Sequence, residues 1–397
     1  MSYPFGGGAR RSRTLLLALL ALALTALAVP ALGAAASKHR KNPKITVMSR
    51  NLYLGADLGP AINAENTCEA IDAGGDILNE VDATDFPERS KLLAKEIVKA
   101  KPDLVGLQEV ALWRFQKDAD FTGTPATKVR YDFLALLQKR LKARGANYRV
   151  AVKQNEFDQE LPADRDGDDA TQDESFPLCG ADEDGRLTMR DVILRRAGSK
   201  VDVFNPEKGQ FENKYSVLLA GAIPIEVDRG WVSVDARIAG TKRRRGARFH
   251  FVNTHLEAFG DPQIREDQAR ELFEKGGPLR TKKQLIFLGD INSGSKRDKI
   301  GRGFTNPGDG GAYKALVDDF GMVNLGARQT CCYPGVDRKD IGKYRFDHTV
   351  DHVMVKPRIK QLDAYVTGDN PNVTTASGLV SSDHGGVVSR LRLKRRK

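Results

Sequence analysis

Six short apolar runs, spread from residue 47 to residue 384, each end in an amide, a carboxylate or an imidazole. They are Val47-Met-Ser-Arg-Asn51, Leu104-Val-Gly-Leu-Gln-Glu109, Phe251-Val-Asn-Thr-His255, Phe287-Leu-Gly-Asp-Ile-Asn292, Thr349-Val-Asp-His-Val353 and Ser381-Ser-Asp-His384. Runs of this length and composition read as buried strands. A strand end can hold a side chain rigidly at a sheet rim while the strand body fills the core. One carboxylate or amide after a strand is ordinarily a turn former. Asn, Glu, His, Asp-x-Asn, Asp and Asp-His, all at strand ends, point instead to chemistry.

The remaining chain supplies more strands and a few helices. Strands are expected near Lys44–Ser49, Tyr148–Lys153, Asp191–Arg195, Tyr215–Leu219, Gln361–Val366 and Val387–Leu393. Trp231–Ile238 and Arg248–Asn253 flank the basic turn Gly240–Gly246 and read as a hairpin. Asp85-Phe-Pro-Glu88 is a helix start, because Asp caps and Glu88 stands three residues on. Further helices are expected over Tyr131–Arg144, Pro262–Phe273 and Ala312–Asp319. There are no internal repeats and no clean split, which suggests one α/β sandwich over 44–397. Two insertions interrupt it: a loop-rich stretch at about 54–85 and an acidic one at about 155–186. Asp164-x-Asp166-x-Asp168 is spaced like a calcium loop, but Asp169 stands where Gly is required, so it reads as a solvated acidic loop.

The N-terminus looks like an export signal. Arg10, Arg11 and Arg13 precede an apolar run to about Leu32, and small residues follow through Ala36. Residues 1–36 are therefore expected to be removed and 37–43 to form a basic linker, which makes the protein secreted. The chain carries 63 basic and 52 acidic side chains, three of the arginines inside the signal. A modest basic excess favours polyanionic partners. Cys68, Cys179, Cys331 and Cys332 fit an oxidising compartment, allow three pairings and show no zinc-site spacing. Two disulfides are expected, with Cys331 or Cys332 joined to a distant cysteine.

The six motif ends resemble the ordered motifs of the endonuclease/exonuclease/phosphatase superfamily. The resemblance spans about Ile45 to Leu391 and is most specific at Gly289-Asp290-Ile291-Asn292, Asn253-Thr-His255-Leu256 and Ser382-Asp383-His384. It implies a DNase I-like four-layer α/β/β/α sandwich: two mixed β-sheets face to face, helices outside, the site at one rim. It also implies a phosphoester hydrolase using Mg²⁺ or Mn²⁺. Glu109 offers the ion a hard carboxylate oxygen, Asn51 a carbonyl oxygen, and Asp383 is a third candidate. Asp290 can accept a proton from the attacking water, which Asn292 orients. His255 and His384 can donate to phosphate oxygens. Asp351 can fix the His384 tautomer. Asp347 is the alternative partner, and Asp351 is preferred because Val353 and Val355 alternate behind it like a buried strand. Tyr53 stands where some relatives place a further acid.

Three substrate classes remain open. Arg243, Arg244 and Arg245 in the basic turn, with the basic tail, favour DNA or RNA and an endonuclease. A phospholipid phosphodiesterase like the bacterial sphingomyelinases needs an exposed apolar hairpin, for which Ser216–Pro224 is the candidate. The segments associated with inositol-phosphate phosphatases are not matched. A catalytically dead binding module is disfavoured because every expected polar position is present. Nothing calls for an obligate protein partner.

Overall fold

The computed structural model describes residues 42–117, 119, 125–166, 179–221, 223–240, 246–295, 310–356 and 358–395. The export signal at 1–36, most of the linker, the middle of the acidic insertion and Arg243–Arg245 lie outside the described residues.

In chain order the elements are β1 (Lys44–Asn51), α1 (Gly59–Ile62), α2 (Thr67–Ala83), α3 (Phe86–Ala100), β2 (Leu104–Gln108), β3 (Leu112–Lys117), β4 (Lys128–Asp132) and α4 (Phe133–Ala143). Then come β5 (Tyr148–Ala163), β6 (Glu183–Arg196), β7 (Val201–Gln210), β8 (Tyr215–Leu219), β9 (Ile223–Val227), β10 (Gly230–Ile238), β11 (Ala247–His255), α5 (Pro262–Glu271) and β12 (Gln284–Asp290). The last are α6 (Gly311–Lys314), continued by a π-helical turn to Asp319, β13 (Val323–Asn324), α7 (Arg338–Ile341), β14 (Asp351–Val355), β15 (Lys360–Thr367) and β16 (Gly386–Arg392).

One mixed sheet runs β15-β16-β1-β2-β6-β3-β4, with β5 along the other side of β6; the second runs β13-β14-β12-β11-β10-β7. Strand alternation sorts the side chains into layers. Ile45, Val47 and Leu104 point inward and meet Val234, Phe251, Ile286 and Leu288 of the second sheet. Met48, Val105 and Leu107 point outward under Leu93, Ile97 and Leu137 of α3 and α4. Leu285, Phe287 and Met354 do the same beneath Ala269, Leu272 and Leu316. The result is the α/β/β/α sandwich. The sheets approach closely at Gly106, where a Cβ would stand 2.1 Å from Leu288 Cδ1 and 2.3 Å from Asn253 Oδ1.

Several expectations change. The loop-rich stretch at 54–85 contains α2, capped by Asn66, whose Oδ1 accepts from Glu69 N at 3.0 Å. Its Asn, Asp and Gly content suggested loop, yet Ile71, Gly74, Ile77, Leu78 and Val81 form one buried face. The ends of the acidic insertion are strand: β5 runs on to Ala163 and β6 starts at Glu183. Tyr131 and Asp132 belong to β4, and Asp132 instead caps α4. The cysteines pair Cys68 with Cys179 and Cys331 with Cys332, so neither of the last two reaches a distant partner. Cys68 in the first turn of α2 meets the end of the acidic segment at a Cα–Cα distance of 5.1 Å.

Candidate active site

Strand register assembles the site. β1 and β2 are parallel with Asn51 opposite Gln108, which sets Asn51 beside Glu109. β11 and β12 are parallel with His255 opposite Asp290, and β14 is antiparallel to β12 with Asp351 opposite Asp290. Three strand ends thus form one row, His255-Asp290-Asp351. The loop before β16 delivers Asp383 and His384. Two buried cations hold that loop. Arg50 donates to Ser381 Oγ at 2.8 Å and to His384 O, while Arg89 donates to Leu52 O and Ser381 O, each at 3.0 Å.

Asp290 is the hub. Its Oδ1 accepts from Asn292 N at 2.9 Å and its Oδ2 from Asn51 Nδ2 at 3.1 Å. His384 Nδ1 and His255 Nε2 lie 3.6 and 3.7 Å from the same Oδ2. Asn51 Nδ2 also donates to Glu109 Oε1 at 2.8 Å, and its Oδ1 accepts from Tyr53 N at 2.9 Å. Asn51 therefore braces two carboxylates through its amide nitrogen, whereas the sequence reading gave its carbonyl oxygen to a metal. Glu109 Oε2 accepts from Leu54 N at 2.7 Å.

His384 Nδ1 meets Asp351 Oδ2 at 2.9 Å, and Asp347 bonds His348 Nδ1 at 2.8 Å instead. Burial disfavours the His384 imidazolium, but Asp351, Asp383 and Asp290 outweigh it and hold the ring well above the usual histidine range. Burial and the Arg229 guanidinium push His255 down to about 3. Arg229 Nη1 lies 3.2 Å from His255 Nδ1. A guanidinium only donates, so Nδ1 accepts from Arg229, and the ring's other nitrogen, Nε2, faces Asp290 Oδ2. Asn292, whose amide donates to Leu256 O at 2.9 Å, stands beside that nitrogen.

The carboxylates are under-compensated. Burial, then the charge of Asp383, pushes Glu109 up to about 7, and burial also raises Asp383. Oxygen donors crowded until they resist ionisation are what a hard divalent cation relieves. Glu109 and Asp383 therefore have the donor chemistry of the expected metal; among the described residues, Asp290, Asp351 and His384 lie close enough together to share an ion.

Sequence reasoning missed the supporting groups. Arg229 is buried against Glu257, whose Oε1 accepts from Ala258 N and Phe259 N. Glu156 and Asp191 are buried behind the site and held, by burial first, well above the carboxylate range. A charge inside an apolar strand, as at Arg50, was the one available signal.

A cavity of about 550 Å³ opens onto this row. Leu58, Ile77, Trp113, Leu187, Val227 and Phe259 are among its walls, and Glu109, His255, Asp290, Asp383 and His384 line it too.

No family model and no curated protein matches the sequence. Among solved structures the chain is similar to an endonuclease/exonuclease/phosphatase family protein from Bacteroides thetaiotaomicron, at 15% identity and TM-score 0.48, covering 89% of this chain and 99% of that one. It is similar to a mannosyl-6-phosphatase of the same organism, at 16% and 0.46, covering 87% and 99%. The human Nocturnin catalytic domain, with bound sulfate, gives 16% and 0.43 over 89% and 96%. The four layers, and the motif ends gathered at one rim, have the form that the sequence resemblance implies. What the chain does is read from its own side chains.

Proposed function

We propose that this protein is an exported, divalent-metal-dependent phosphodiester hydrolase whose substrate carries an apolar arm. Asp290, fixed by two hydrogen bonds, takes a proton from the attacking water. His255 and the cationic His384 donate to phosphate oxygens as charge builds there. Glu109 and Asp383 would hold Mg²⁺ or Mn²⁺, which would supply positive charge to the phosphate. The water oxygen bonds to phosphorus, the ester P–O bond breaks, the leaving oxygen takes a proton from solvent, and Asp290 returns its proton to solvent.

The observation that carries the substrate assignment is the cavity. Beyond the catalytic cluster, Asp57 and Arg229 are the charged side chains among its described lining residues, and the Arg229 guanidinium is engaged by Glu257 and His255. A nucleotide arm needs cations for its next phosphate and partners for its sugar; a hydrocarbon arm needs apolar walls. The hairpin anticipated at Ser216–Pro224 is β8 and β9, which exposes Leu218 and Ile223 near its tip while Val217 and Ile225 line the cavity. That pairing suits a lipid phosphodiester better than the nucleic acid favoured by sequence.

The test is a series of p-nitrophenyl alkyl phosphates of increasing chain length, run beside plasmid DNA with Mg²⁺. Each methylene entering the cavity contributes about 0.8 kcal/mol, or about fourfold in kcat/KM, until the cavity fills. A flat series with efficient plasmid cleavage refutes the apolar arm and restores the nuclease reading. Export is tested by the intact mass of secreted protein, expected to start near residue 37.

A further inference from the structure

The adjacent pair Cys331-Cys332 lies against the catalytic row rather than in a remote structural position. Both Sγ atoms stand 3.7 Å from His384 Nε2, and Cys332 Sγ is 4.0 Å from His348 Nε2. Each histidine has its other nitrogen on a carboxylate: His384 Nδ1 on Asp351 at 2.9 Å and His348 Nδ1 on Asp347 at 2.8 Å. The backbone fixes the arrangement, since Cys331 N donates to His348 O and Asp347 N to Cys331 O. Two sulfurs thus face two imidazole Nε2 atoms whose rings are oriented from behind by acids. Carboxylate-backed histidines are the usual second-shell arrangement of zinc ligands. Around tetrahedral zinc, with bonds of about 2.3 Å to sulfur and 2.0 Å to nitrogen, neighbouring S and N atoms stand about 3.5 Å apart. The sulfur–nitrogen distances here, 3.7, 3.7 and 4.0 Å, are somewhat longer; Cys331, Cys332 and His348 offer ligand atoms within 4.8 Å of one another, and His384 Nε2 stands against both sulfurs.

We propose that, once the cysteine pair is reduced, Cys331, Cys332, His348 and His384 form a closed Cys2His2 site for a thiophilic divalent cation such as Zn²⁺, and that filling it removes His384 from catalysis. The disulfide takes two electrons and two protons from two molecules of a small thiol, which leave joined as their own disulfide. Both new thiols then lose their protons to become ligands, and the cation replaces the proton on His384 Nε2. In the disulfide form the sulfurs are weak acceptors that leave this nitrogen to the phosphate. The inhibitory half of the proposal rests on the function proposed above; the metal-binding half does not.

Co²⁺ is the probe, because thiolate ligation gives a sulfur-to-cobalt charge-transfer band and tetrahedral geometry gives intense visible bands. Neither arises at the oxygen-rich Glu109 site. Full-length protein reduced with a phosphine should show both bands at one equivalent. The oxidised protein and a Cys331→Ser/Cys332→Ser double variant should show neither. His348→Gln should keep basal activity but weaken Co²⁺ binding roughly tenfold or more and relieve Zn²⁺ inhibition of the reduced enzyme by a similar factor. Reduced protein without the charge-transfer band overturns the site. A charge-transfer band with turnover unaffected by Zn²⁺ shows that His384 is not a ligand and overturns the four-ligand arrangement. If no phosphodiester proves to be a substrate, the function reading fails while the cobalt spectrum still decides the metal site.

Discussion

Replacing Asp351 by Asn separates positioning from proton chemistry. The carboxylate is fully buried, with Oδ2 on His384 Nδ1 at 2.9 Å and Oδ1 without a hydrogen-bond partner among the described residues. An Asn keeps its oxygen on Nδ1–H only by putting its NH₂ where Oδ1 was, and an unpaired buried donor costs about 1–3 kcal/mol. The other rotamer sets NH₂ against Nδ1–H, donor against donor. Either way the charge that orients His384 and favours its protonated form is lost. A hydrogen bond to a charged group is worth about 1.5–3 kcal/mol, which is about a 10- to 150-fold loss in turnover. His384→Ala should cost at least about a hundredfold. The double variant should cost little more than His384→Ala alone, because residues acting as a unit are not additive. The readout is kcat and KM on a p-nitrophenyl phosphodiester at saturating Mg²⁺, with thermal melts as controls. The loss should fall on kcat. Asp347→Asn, which touches His348 instead, should be near neutral in the oxidised enzyme. If Asp347→Asn reproduces the loss and Asp351→Asn is silent, the partner assignment is wrong.

Excess EDTA should abolish turnover and Mg²⁺ or Mn²⁺ restore it; full activity in chelator rejects Glu109 and Asp383 as metal ligands. Asp132 Oδ1 caps α4 through Leu134 N and Ala135 N and meets Arg190 at 2.6 Å. Burial raises this carboxyl, but the bond to Arg190 outweighs burial and leaves it below the ordinary range. Its contribution is therefore present above the unfolded value of about 3.9 and is lost as pH falls below it. Asp132→Ala should cost about 1–2 kcal/mol at pH 7, and denaturant titrations down a pH series should show that difference shrinking in acid; a pH-independent difference discounts the charge. Gly106→Ala should destabilise the protein by about 1–3 kcal/mol through overpacking between the sheets, and an unchanged melting temperature argues against the close approach there.

What the sequence yielded depended on whether the signal was local. Each motif residue adjoins its own apolar strand, Asn51, Glu109, His255 and Asp290 at its end and Asp351 and His384 at or before its start, so each could be placed at a strand end one at a time. Helix α2 was illegible for a tertiary reason. A Cβ on Gly75 would stand 1.4 Å from Asp164 O, so the residue that reads as a helix breaker is what lets the helix lie against the chain leaving β5. Arg229 and Arg89 were invisible because their partners are backbone oxygens and side chains far away in sequence.

The same distinction explains the two Asp-His pairs. Asp347-His348 and Asp351-His352 are equivalent as text, four residues apart. The sheet breaks the tie. Asp351 is the first residue of β14 and stands opposite Asp290 across an antiparallel ladder. Two buried carboxylates facing each other across neighbouring strands repel, and the His384 imidazolium beside both offsets that repulsion. Asp347 lies before the strand, outside that row, and takes the adjacent His348. His352, one residue on, points to the opposite face of the strand, where it meets Ser293 O at 2.9 Å and Asn324 Nδ2 at 2.9 Å. A one-residue slip of β14 against β12 would exchange the faces of Asp351 and His352 and leave His384 without its acid. The catalytic pair is thus a property of the ladder register, which Val353 and Val355 fix by filling the core between the sheets.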